Sequence, residues 1–146
     1  MSADRKITAH AIAKLIQDLG YRATVEKRGG IDLVASTAAG LKFIIAPAGD
    51  DLLQFSLGMT SVASFRLDEV NRFNGTFRFG KVYLDDDGDI VLHWDVLVTE
   101  ANLKSSLGRC LDIWELLVGA LLQVLRDGIP QEKPTKKKAA RRTGVG

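Results

Sequence analysis

One cysteine, three prolines and two histidines in 146 residues each close a route to function. The single Cys110 leaves no disulfide framework within the chain, no CxxC redox pair and no Cys-based zinc site. His10 and His93 lie 83 residues apart with no HExxH between them, so zinc catalysis has no ligand set. No apolar run approaches the ~20 residues that a membrane span needs. The opening MSADRKITAH is charged and polar, with no apolar stretch ahead of a cleavage site, and does not read as a secretory signal. The phosphate-binding patterns GxxxxGKS/T and GxGxxG are missing, and Gly29-Gly30 opens a strand where a phosphate site needs a helix N-terminus. There is no GxSxG elbow. These absences predict a soluble, cytoplasmic protein with no metal, no cofactor and no recognisable catalytic motif. Carboxylates are numerous, so an acid/base pair assembled in space stays open.

What is present is apolar content, at 46% of residues. A chain of this length suits one domain with a real core and no covalent staple. The net charge of +2 is uneven: from Gly128 onward there are six Lys and Arg against one Glu, which leaves 14 basic against 17 acidic residues before it. The expected division is therefore an acidic domain, residues 1–127, and a disordered basic tail, residues 128–146. Lys136, Lys137, Lys138, Arg141 and Arg142 form the tail's anion-attracting run, suited to nucleic acid or anionic lipid. It has no aromatic residue for base stacking and no apolar face for membrane insertion, which favours a solubilising terminus.

Ile7, Ala11, Ile12, Leu15, Ile16 and Leu19 recur at helical spacing, with Gly20 placed to cap the helix C-terminus. Four strands follow: Tyr21 to Arg28, Ile31 to Ala38, Leu41 to Ala46 stopped by Pro47, and Leu53 to Met59. They lie too close together for helical crossovers, so antiparallel pairing is expected. A short helix, Phe65 to Phe73, has Ser64 as N-cap and ends at Asn74-Gly75. Phe77–Leu84 and Asp89–Val98 then flank a hairpin turn, with a bulge expected at Gly80. Asp85, Asp87, Gly88 and Asp89 superficially suggest a calcium loop. Placing Gly88 at the loop's glycine puts Tyr83 and Trp94 at ligand positions, so a solvated turn is the better reading. Asn71 and Asn74 are read as satisfying backbone groups near the helix end, not as a recognition pair.

A final helix runs from Thr99 to Asp127. Leu107, Cys110, Leu111, Trp114, Leu117, Val118, Leu121, Leu122 and Leu125 form one stripe, which Ile113, Ala120 and Val124 widen. The arc is close to twice the ~100° that a helix lying on one sheet requires. Either the helix is sandwiched within the domain or part of it meets a second subunit. On the second reading the interface falls on Ile113, Trp114, Leu117, Ala120 and Val124, and the chain is a homodimer. Cys110 lies on the apolar stripe as a core filler.

The order Val70-Asn71-Arg72-Phe73-Asn74, Phe79-Gly80-Lys81-Val82-Tyr83-Leu84, Asp87-Gly88-Asp89, Thr99 and a long terminal helix resembles the YbjN-domain family of bacterial sensory transduction regulators, from about His10 to Arg126. That resemblance implies an α+β fold, a twisted, mainly antiparallel sheet with helices packed on it in the order α-β-β-β-β-α-β-β-α, similar to type III secretion chaperones. It also implies a noncatalytic regulatory module that grips a protein or peptide client through sheet surface or edges. Two other readings stay open: a nucleic-acid- or anionic-surface-associated protein tethered by its tail, and an enzyme with an unrecognised carboxylate site.

Overall fold

The computed structural model describes residues 7–127; the tail residues Lys136 to Arg142 lie outside them. Helix α1 (Ala9–Asp18) starts where the Thr8 hydroxyl accepts the Ala11 N–H at 3.1 Å. It ends in a Schellman cap, with Tyr21 N–H donating to Ile16 C=O and Gly20, at φ +95°, donating to Gln17 C=O. Strands β1 (Thr24–Arg28), β2 (Ile31–Ala38), β3 (Leu41–Ala48) and β4 (Leu52–Met59) form an antiparallel meander. Helix α2 (Leu67–Thr76) follows, then β5 (Lys81–Leu84), β6 (Ile90–Leu97) and α3 (Leu103–Asp127). The six strands form one antiparallel sheet in the order β1-β2-β3-β4-β6-β5. The α+β class and the element order agree with expectation.

Register sorts the strand residues cleanly between two faces. Val25, Val34, Ile45, Phe55 and Trp94 align across five strands on one face. Thr24, Ala35, Ile44, Ser56, His93 and Lys81 form a row across all six on the other. Helices α1 and α3 cover the first face: Ile12 and Ile16 join Val34, Phe43 and Ile45 in the core, and Trp114 packs on Phe43 and Phe55 at ring separations of 5.8 and 5.4 Å. Among the described residues no helix covers the second face.

Several boundaries differ from the sequence reading: β1 begins at Thr24 and not Tyr21, α3 begins at Leu103 and not Thr99, and four more have a visible physical cause. Strand β3 runs through Pro47, because its β2 partners end at Ile45 and a missing donor on that side breaks no ladder bond. Helix α2 begins at Leu67, not Phe65: the Glu69 carboxylate accepts the Arg66 N–H at 3.0 Å, and Phe65 turns into the core. It also continues past Asn74-Gly75 to Thr76. Strand β5 starts only at Lys81, because Gly80 N–H folds back onto Arg78 C=O with Phe79 between them at φ +74°. This γ-turn, a strained conformation for a bulky residue, explains the break in apolar phase at Gly80.

Candidate partner-binding surfaces

The acidic hairpin is built as a turn. Asp85 Oδ1 accepts the N–H groups of Asp87 and Asp89, each at 2.9 Å, and Asp89 Oδ1 accepts that of Ser61 at 2.9 Å. Gly88, at φ +81°, completes the type I turn and bulge of a three-residue hairpin loop. The carboxylates of Asp85, Asp87 and Asp89 lie within 4.8 Å of one another, but Asp85 holds the loop's own backbone and Asp89 that of Ser61.

The uncovered sheet face carries Leu33, Ile44, Leu52, Val91 and Leu97, with Leu97 76% exposed. A polar band crosses it. His93 Nε2 meets Asp95 Oδ1 at 2.6 Å, and Ser56 faces His93 in register. A nucleophile and its base need hydrogen-bond contact; the described hydrogen bond of His93 goes to Asp95, not to Ser56. Further along, Glu26 binds Lys42 at 2.9 Å and Arg28 at 3.1 Å, and these contacts, Lys42's foremost, hold its carboxyl below the usual range. The face is partly apolar and studded with charge.

The two sheet edges are unlike. At β5 the Asn74 side-chain amide donates to Val82 C=O at 2.9 Å and accepts Val82 N–H at 2.7 Å, mimicking the peptide group of a neighbouring strand. Asn74 thus satisfies backbone groups as the sequence suggests, although those of an edge strand and not of its own helix end. Asn71 is exposed. At the other edge β1 pairs with β2 alone.

Helix α3 divides its wide arc between the core and a partly exposed margin. Thr99 and Asn102 bond each other reciprocally ahead of it, at 2.7 and 3.2 Å. Trp114, Leu117 and Val124, expected at an interface, are buried within this one chain. Trp114 meets the sheet's aromatic layer, Leu117 lies against Gly80 ahead of β5, and Val124 belongs to the core cluster. The Trp114 indole Nε1 lies in that layer without a hydrogen-bond partner among the described residues. Ile113 and Ala120 are only partly buried and line a groove of about 600 Å³ between α3 and the Phe77–Phe79 turn. Its rims are Leu116, 74% exposed, and Phe79, 64% exposed, the latter propped edge-on against Trp94 at 5.9 Å. Neither rim residue stood out in the sequence. Leu116 falls outside the apolar stripe, and the turn that projects Phe79 has no local signature beyond the adjacent glycine.

Two groups beside α3 are shifted. Burial, then the Glu115 and Asp112 carboxylates, raises Tyr21 well above the ordinary tyrosine range. Burial also pushes the Cys110 thiol up, against the opposing pull of Arg109; a protonated, buried thiol is a filler and not a nucleophile. No described helix is long and apolar enough to cross a membrane.

Comparison with curated proteins finds no match. Among solved structures the chain is similar to the Yersinia pestis type III secretion chaperone SycH, in complex with a stable fragment of YscM2. Identity is 17%, coverage 76% of this chain and 97% of that one, and the TM-score is 0.48. Residues 8–126 match the YbjN family, described as "Putative bacterial sensory transduction regulator". With that span including every element from α1 almost to the end of α3, the chain belongs to the YbjN family.

Proposed function

We propose that this protein is a noncatalytic, chaperone-like regulatory module that acts as a homodimer on a protein or peptide client. The observation that carries this reading is the sheet face left without a helix. There Leu33, Ile44, Leu52, Val91 and Leu97 sit among charged pairs on a rigid platform. An open face that mixes apolar side chains with polar and charged groups suits a docked partner. The client docks across this face, with the His93–Asp95 band supplying polar register.

The test compares what the wild-type chain and a Val91→Lys variant capture from the native cell, after confirming that both unfold alike. Val91 is half-buried on the open face, so the substitution leaves the helix-covered core in place. A partner held by the wild type and lost by the variant supports the reading. Identical capture by both removes the sheet face from consideration.

A further inference from the structure

Along α3, Asp112, Leu116, Gly119, Gln123 and Arg126 recur at alternating spacings of four and three, and all five are exposed. That is the repeat by which one helix presents a seam to another, and it runs beside the stripe already spent on the core. Leu116 stands in its middle at 74% exposure. A side chain at Gly119 would meet nothing within 4 Å, so the space over that residue is open. Glycine in a helix interior costs roughly 1 kcal/mol relative to alanine, yet nothing in the chain's own packing requires it here. Close approach of a backbone from outside would. Of the seam's two charges, Asp112 precedes the glycine and Arg126 follows it, with Glu115 beside the first. Among the described residues Arg126 forms an ion pair with its neighbour Asp127, at 3.5 Å.

From this arrangement we infer that the occupant of the α3 groove is a second copy of the same chain, its α3 crossing antiparallel at Gly119, with Leu116 of each copy seated between Phe79 and Ala120 of the other. The inference rests on the homodimer reading above and gives it an interface. Antiparallel pairing about Gly119 sets Asp112 against Arg126 of the other copy and Glu115 against Gln123, twice over by symmetry. Parallel pairing would stack acid on acid. A bulky residue facing a small one, in a seam with opposite charges at its two ends, is self-complementary and so favours a copy over an unrelated helix. Arg109 lies beyond the crossing, one turn before Asp112.

The test is the solution mass of the full chain at high micromolar concentration, against the 15.9 kDa of one copy. The expected result is a dimer whose dissociation constant rises about tenfold or more in Leu116→Glu, as for a central apolar anchor. Gly119→Leu should separate the two roles of the glycine: thermal stability of the monomer unchanged or higher, association lost. Asp112→Lys should weaken the dimer by roughly threefold to tenfold, and adding Arg126→Glu should restore it, an outcome tied to antiparallel orientation. A dimer untouched by Leu116→Glu and Gly119→Leu overturns this interface and leaves the homodimer reading standing. A monomeric wild type overturns both. A monomer whose capture of a client is abolished by Leu116→Glu assigns the groove to that client instead.

Discussion

Replacing Gly80 by alanine tests the link between the strained Phe79 turn and the α3 packing. A Cβ at Gly80 would lie 2.8 Å from Leu117 Cδ1, 3.4 Å from the His93 carbonyl oxygen and 3.6 Å from Leu92 Cδ1. Carbon atoms prefer ~3.5–4.0 Å, so Leu117 must retreat by close to 1 Å, and the backbone carbonyl cannot retreat with it. Overpacking of this kind costs ~1–3 kcal/mol. Against it stands ~0.4–1 kcal/mol from the loss of unfolded-chain freedom when glycine becomes alanine. The expected net loss is therefore about 1–2 kcal/mol, lowering a urea midpoint by roughly 0.5–1 M for a chain of this size. Urea titration followed by the fluorescence of Trp94 and Trp114 measures it. The decisive step is to repeat the substitution in Leu117→Ala. That change alone costs ~2–5 kcal/mol as a large-to-small core substitution, but it removes the atom at 2.8 Å. In that background Gly80→Ala should be neutral or stabilising, a coupling of about 1–3 kcal/mol. Equal cost in both backgrounds would refute the packing argument and place the requirement for glycine in the backbone itself.

Three further outcomes follow from the geometry. Asn74→Leu frees Val82 N–H and C=O at the β5 edge, and is expected to cost ~1–3 kcal/mol and to increase aggregation, read by urea titration and light scattering. Tyr21 has a folded pKa raised above its unfolded value near 10.0, so its contribution is fully present below about pH 10 and declines as pH rises further, because the unfolded chain loses its proton first. The alkaline fall in stability should be shallower in Tyr21→Phe, read by urea titration of both proteins at rising alkaline pH. Cys110, buried and held protonated, should react with thiol reagents only at the rate of local or global opening; rapid labelling of the native protein would contradict its place in the core.

How far the fold could be read from sequence depended on whether the deciding contact was local. Alternation in β2, β4 and β6 wrote the two sheet faces directly into the chain, and Gly20 and Gly88 marked turns because their backbone must take positive φ. Pro47 misled, since its tolerance depends on where β2 stops pairing. The limit of β5 was hidden in the same way: a γ-turn at Phe79 obeys no residue preference, and only the crowding of Gly80 against Leu117 shows why a glycine follows it. On α3 the breadth of the arc was legible but not its division. Periodicity could not tell that Trp114 and Leu117 face inward, nor that the solvent margin begins at Leu116.

The Asn74 clamp has a consequence for assembly by strand pairing. At one edge of the sheet a side chain from within the molecule takes up the ladder groups of Val82, whereas among the described residues β1 pairs on one side alone. Two copies joined through β1 would present Asn74-sealed margins at both ends. Edge-to-edge growth of that kind would halt after one addition, which is the protection that a plugged sheet edge gives against fibre formation.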